Sequence, residues 1–190
     1  MWFYEKKLQF PIRIRKCDPK MAKYIIAQYG GPDGELGASL RYISQKYTMP
    51  CPKTRAVLND IGSEELGHLE MVGTIVHQLL DNADPDLLEQ SGYGSTFIVH
   101  GKGVYPADSN GVPYNAASIQ STGNPIVDLN EDLAAEQKAK AVYDNILAVA
   151  EDPDVIAPIR FLREREVVHY QRFGEALRIL EETMNSKKYY

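Results

Sequence analysis

The chain has 190 residues, of which 44% are hydrophobic and 25% charged, with a net charge of −5 at pH 7. That composition excludes a disordered chain, and the acidic balance excludes a general nucleic-acid binder, which needs a basic face. No run approaches ~18 consecutive apolar residues, so no transmembrane helix is expected, and the opening MWFYEKKLQF does not read as a signal peptide. The expectation is one domain over residues 1–190 in a cytoplasmic protein.

The first helical segment runs from about Pro19 to Tyr47, with Asp18 as N-cap and Pro19 at the first helical position. Gly30-Gly31-Pro32 should kink or split it. Just after the break stands Glu35, on a face shared with Gln28, Ala38 and Tyr42. The break Met49-Pro50-Cys51-Pro52 then introduces a second segment, from about Lys53 to Leu80. Its seam, read in alternating steps of three and four, is Leu58, Ile61, Glu65, His68, Val72, Ile75 and Leu79. Three residues turn a helix through about 300°, so Glu65 and His68 share the face that points into the core.

About 46 residues follow, Asp81 to Ile126, rich in Gly, Ser, Asn, Pro and Tyr. A connection of that length usually has a job; here it reads as a crossover over about 81–126 between two helical hairpins. Phe97-Ile98-Val99-His100 is expected to add a short strand within it.

The third segment, from about Val127 to Glu151, carries Glu136 on the stripe Leu129, Leu133, Glu136, Tyr143, Leu147 and Ala150. The fourth, from about Asp154 to Thr183, gives the seam Ile159, Leu162, Glu166, His169, Phe173, Ala176 and Leu180. Its spacing repeats that of the second segment, and aligning the two Glu-x-x-His motifs also aligns Gly73 with Gly174. Lys187, Lys188, Tyr189 and Tyr190 read as a short frayed tail. The fold expected is all-α, a ferritin-like four-helix bundle over about 18–183 with its long crossover between the second and third helices.

Four carboxylates and two imidazoles in one apolar core are costly unless something neutralises them. Two divalent cations do so, and Glu with His suits iron or manganese rather than a thiolate-loving metal. One Glu on each of two helices and Glu-x-x-His on the other two is the dimetal carboxylate pattern of such bundles. Residue types leave manganese and iron equally open. A single Glu-x-x-His would signify little; two on matching seams, with a Glu on each remaining helix, are specific. His77 and His100 have no carboxylate at ligand spacing and read as non-ligands. Cys17 and Cys51, 34 positions apart, read as reduced thiols and exclude a four-cysteine iron site. Arg160, Arg163, Arg165 and Arg172 read as a solvated or subunit-facing stripe, and Glu64 and Glu70 as pointing away from the motif or to its edge. The 12 tyrosines, many in the crossover and termini, suggest assembly contacts or plain surface residues.

The stretches Gly30-Gly31-Pro32-Asp33-Gly34-Glu35-Leu36, Ser63-Glu64-Glu65-Leu66-Gly67-His68-Leu69-Glu70, Glu136 and Arg165-Glu166-Val167-Val168-His169 resemble the manganese catalase family, in particular its short branch among bacterial spore coat proteins. The resemblance implies Glu35 and His68 on one manganese, Glu136 and His169 on the other, and Glu65 bridging the two ions. It implies that Glu166 is not a ligand but a proton-carrying catalytic group near the bridging solvent, with Tyr42 a hydrogen-bond partner beside the centre. The activity implied is disproportionation of hydrogen peroxide to water and dioxygen, the metals cycling between (II,II) and (III,III). A di-iron oxidase or ferroxidase, and a structural coat protein with a non-catalytic metal site, are the alternatives. Larger members carry a C-terminal extension, sometimes with calcium, expected to be absent here. Where some members place an Arg before the third-helix Glu, this chain has Ala135. The resemblance also implies a homo-oligomer, a hexamer by family habit, with spore coat proteins as further partners and the spore coat as the other location.

Overall fold

The structure is a computed structural model that describes residues 7–186. The residues expected to form the frayed tail lie outside it. The first helical segment is broken as expected, into α1 (Pro19–Ile25), α2 (Ala27–Gly30) and α3 (Glu35–Gln45). Asp18 caps α1 by accepting the Met21 N–H at 3.0 Å. The break has a steric cause as well as a conformational one. A Cβ on Gly30 would stand 2.2–2.6 Å from the backbone of Pro106 and Ala107, so the crossover passes where only glycine fits. The chain therefore restarts at Gly34 and places Glu35 in the first turn of α3.

Helix α4 (Pro52–Leu80) begins at Cys51, whose sulfur accepts from Thr54 N, with Pro52 at the first position. Asn124 caps α7 (Pro125–Val149) in the same manner, accepting from Ile126 and Val127. Helix α8 (Pro153–Ser186) follows after a three-residue link. Packing of α3 on α4 and α7 on α8 makes two hairpins, and α4–α8 and α3–α7 contacts close them into the bundle. Helix α1 lies along α4 and carries a second apolar layer around Met71, Ile75 and Leu79.

The crossover from Asp81 to Asn124 holds two short helices, α5 (Pro85–Gln90) and α6 (Gly94–His100). The strand expected at Phe97–His100 is therefore corrected to helix. Its N–H groups find local acceptors, as in Phe97 N to Tyr93 O at 2.9 Å, and Gly101 ends it at φ 59. No neighbouring strand exists among the described residues to pair with it, and an unpaired strand would leave its backbone groups unsatisfied. Further along, Gln45 donates to Gln120 O at 2.7 Å and Arg41 to Ser118 O at 3.4 Å, pinning the crossover onto α3. No helix of the described residues is long and apolar enough to cross a membrane.

Candidate metal centre

The seams of α4 and α8 are buried throughout, from Leu58 to Leu79 and from Ile159 to Leu180. They bring Glu65, His68, Glu166 and His169 to one point, with one donor atom from each lying within 4.8 Å of all the others. Glu35 from α3 and Glu136 from α7 flank this group. All six side chains are at most 2% exposed. The Glu65 carboxylate sits between the imidazoles, its Oε2 2.6 Å from His68 Nδ1 and its Oε1 2.9 Å from His169 Nδ1. His68 Nδ1 is also 3.9 Å from Glu35 Oε2, and His169 Nδ1 is 3.6 Å from Glu136 Oε2.

Two tyrosines hold the outer carboxylates, each from the opposite hairpin. Tyr42 of α3 donates to Glu136 Oε1 at 2.5 Å, and Tyr143 of α7 donates to Glu35 Oε1. In both helices the tyrosine stands seven residues after the glutamate, so the arrangement is reciprocal. The Tyr42 ring packs on Phe173 at 4.8 Å between centroids, which closes that side with apolar surface.

Burial disfavours charge on each of these groups, and their neighbours then separate them. At Glu65 the imidazoles of His169 and His68 outweigh burial and hold the carboxyl well below the usual range. Burial opposes the protonation of His68 too, but the carboxylates of Glu65 and Glu64 push it up to about 9. His169, between Glu65, Glu136 and Glu64, is pushed up to about 12. Glu166 has the opposite character: burial, reinforced by Glu35, Glu136 and Glu65, lifts its carboxyl well above the ordinary value. Burial and Glu65 likewise raise Glu35 against the pull of His68 and Tyr143.

The centre thus demands positive charge, and its unsatisfied atoms indicate of what kind. Glu65 Oε1, Glu136 Oε2, Glu166 Oε1 and both ring nitrogens of His169 are buried without a directional hydrogen bond. Oxygen and imidazole donors left open in this way suit a divalent first-row cation such as manganese or iron. The residues present fit such ions.

Three participants were misplaced or missed by sequence reasoning. Glu64, read as pointing away from the motif or to its edge, lies 3.5 Å from His68 Nε2 and 3.2 Å from His169 Nε2. Arg165, read as part of a solvated or subunit-facing stripe, turns inward and forks onto Glu64 at 2.8 and 3.2 Å. The third is Asp132, fully buried on α7 one turn before Glu136, with both oxygens unpartnered. Burial lifts its carboxyl well above the usual range, with Gln45 and Arg41 opposing. His77 is exposed and His100 stacks on Tyr105, both away from the centre. Cys17 and Cys51 are free thiols.

The profile of the family described as "Manganese containing catalase" matches residues 1–188. Protein CotJC of Bacillus subtilis (strain 168) is 49% identical over 188 residues, covering 99% of each chain. A manganese catalase of the same organism is 30% identical over 194 residues, covering 95% of this chain and 71% of its own. Among solved structures, KatB, a manganese catalase from Anabaena, superposes with a TM-score of 0.85 at 30% identity, covering 95% of this chain and 81% of that one. Shared sequence over nearly the whole chain, on a shared ferritin-like bundle, makes this protein a member of the manganese-containing catalase family.

Proposed function

We propose that this protein is a manganese-dependent catalase that converts two molecules of hydrogen peroxide to two of water and one of dioxygen. The observation that carries the reading is the buried set Glu65, His68, Glu166 and His169 within 4.8 Å, with Glu65 Oε1, Glu166 Oε1 and His169 Nδ1 left without a directional hydrogen bond, in a chain of this family. Two manganese ions per subunit would be held by Glu35 and His68 on one side and by Glu136 and His169 on the other. Glu65 would span them, which its placement supports, since each oxygen faces a different histidine. When bound, the ions supply Lewis acidity and a store for two electrons.

The remaining chemistry belongs to side chains. Glu166 is the proton carrier. Burial and the surrounding carboxylates raise its carboxyl well above the ordinary value and so favour its protonated form, and the buried, unpartnered Oε1 is free to exchange a proton with peroxide oxygen. Tyr42 and Tyr143 orient Glu136 and Glu35 and prevent their oxygens from rotating away. Phe173 and the aliphatic seams keep bulk water out, so the proton on Glu166 is not lost to solvent.

The test is elemental analysis of protein purified without added metal, together with oxygen release from peroxide by the same sample. About two manganese per chain with sustained oxygen release is the expected result. Iron with little oxygen release would replace this reading with the di-iron oxidase. A second reading, a structural coat component with a non-catalytic metal site, is favoured by one observation. The chain is 49% identical to protein CotJC and 30% identical to the B. subtilis manganese catalase. Metal-loaded protein that evolves no oxygen above free manganese would establish it. A homo-oligomer, hexameric by family resemblance, and a place in the cytoplasm or spore coat complete the proposal.

A further inference from the structure

The two imidazoles are oriented alike. Each presents Nδ1 to the interior carboxylates and Nε2 to the opposite side, and the rings stack at 5.5 Å between centroids with planes 23° apart. On that opposite side one residue serves both: Glu64 Oε1 lies 3.5 Å from His68 Nε2, and Glu64 Oε2 lies 3.2 Å from His169 Nε2. Neither Nε2 makes a directional hydrogen bond in the structure, and Glu64 is the carboxylate that stands against both. The outer edge of the same carboxylate is gripped by Arg165, Nε to Oε1 at 2.8 Å and Nη2 to Oε2 at 3.2 Å, and Gln9 donates to Oε1 at 3.2 Å. Glu64 thus joins α4 to α8 across 101 positions of sequence.

We propose that Glu64 is a shared positioning residue, which accepts the Nε2–H of both His68 and His169 and so leaves both Nδ1 lone pairs free for the two metal ions. This rests on the metal-binding part of the proposed function and adds to it a residue outside the ligand set. The physical reason is the imidazole itself. A neutral ring has one N–H, and a ring that binds metal through Nδ1 must carry it on Nε2. A carboxylate at Nε2 stabilises that tautomer, fixes the ring plane and makes the nitrogen a better donor. One carboxylate with an oxygen for each ring does this for both sites at once. Arg165 holds the carboxylate in the plane that makes both contacts, and its charge offsets that of Glu64.

The sharing predicts a signature that a merely structural glutamate would not produce. In Glu64→Gln the carboxamide keeps one acceptor, but its NH₂ group opposes the N–H of the other ring. The two metal sites should therefore become unequal. The full chain, freed of metal, is titrated with Mn(II) while free Mn(II) is read by its electron paramagnetic resonance signal. The expected result is a split isotherm, with one site weakened ~10–100-fold more than the other. Arg165→Met, which retains the carboxylate and loses the clamp, should weaken both sites together by about 10-fold. Unchanged, unsplit binding in folded Glu64→Gln overturns the proposal and leaves the catalase reading intact. Failure of the parent protein to bind Mn(II) at all overturns both.

A second measurement needs no variant. In the parent protein loaded with Zn(II), a diamagnetic substitute, ¹⁵N resonance of the histidine rings should show protonated, exchange-protected Nε2 on both His68 and His169. A proton on Nδ1 of either ring, or an unprotected Nε2, overturns the proposal however the variants behave.

Discussion

The bundle contains two hairpins built on one plan, and their differences are more instructive than their likeness. In α3–α4 the centre receives Glu35, Glu65 and His68; in α7–α8 it receives Glu136, Glu166 and His169. Each outer glutamate is followed seven residues later by a tyrosine that reaches across to the other hairpin. Yet Glu65 is held strongly acidic, whereas Glu166 is driven toward its neutral form. The cause is position relative to the imidazoles: Glu65 touches both rings, while Glu166 is surrounded by carboxylates. The residue preceding each motif differs as well, Glu64 in one helix and Arg165 in the other, and the two pair with each other. Even the aligned glycines diverge, since a Cβ on Gly73 would stand 3.0 Å from the Tyr29 ring and one on Gly174 would meet nothing within 4 Å. A repeated motif therefore places in one copy a carboxyl held well below the usual range and in the other a carboxyl raised well above it.

The largest effects should come from neutralising the two motif glutamates separately. Glu65→Gln should lose at least about 100-fold in Mn(II) affinity, because the carboxylate between the ions is removed. Glu166→Gln should keep both ions and lose about 10²–10³-fold in oxygen release, as expected for removal of a proton carrier. Metal analysis and oxygen evolution on the same preparations read both. Equal metal loss in the two variants would erase the distinction between the hairpins.

A pH scan of the metal-free protein sharpens it further. His68 and His169 bind protons more tightly folded than unfolded, so the stability they contribute is complete below about 6.5 and declines above it, until pH has risen through about 9 for His68 and about 12 for His169. Glu35 and Glu166, also raised, act in the same direction. The melting temperature should fall by about 10 °C between pH 6.5 and 9 in the presence of chelator. Saturating Mn(II) should reverse the trend, since metal takes the place of the protons. A flat or rising profile without metal would contradict the assigned imidazole environments.

The smallest effects belong to the tyrosines. Tyr42→Phe and Tyr143→Phe should each cost about 1 kcal/mol, or about 2–4 °C in melting temperature. Their costs should agree within about 0.5 kcal/mol if the reciprocal geometry is energetically balanced. Calorimetry of the two variants decides, and a strongly unequal pair would mean that one hairpin carries the centre.

Much of this was legible because α4 and α8 bury apolar seams interrupted only by Glu-x-x-His, and a polar pair inside an unbroken aliphatic stripe is hard to miss. Asp18, Pro19 and the Gly30–Pro32 break were local signals of equal clarity, whereas the other three long helices were expected to start just past the prolines that open them, Pro52, Pro125 and Pro153. Helix α7 was harder. Its inward stripe includes Asp128, Asp132 and Glu136, so Leu133 and Leu147, which hydropathy favours, are only half-buried, while Ala135, Ala139 and Ile146 are the buried neighbours. Periodicity reads apolar residues and is blind to a core face that is itself acidic. Glu64 was illegible for a different reason. It stands about 100° around the helix from Glu65, and what turns it inward is Arg165 and His169, on another helix more than a hundred positions away. The segment Phe97–His100 carried a β-like composition, but no partner strand accompanied it.

The long crossover has a consequence for how the protein is made. During synthesis α3 and α4 emerge first and offer Glu35, Glu65 and His68 alone, half of a centre whose excess of acid has nothing to balance it. Only after the crossover and α7 have followed, and α8 has docked, do His169 and Arg165 arrive to complete the other half. The late meeting of distant segments is the slow step expected of such a topology. The full cluster of carboxylates and imidazoles therefore exists only in a chain that has finished folding, and a truncated or misfolded copy would have no complete place to hold a redox-active ion.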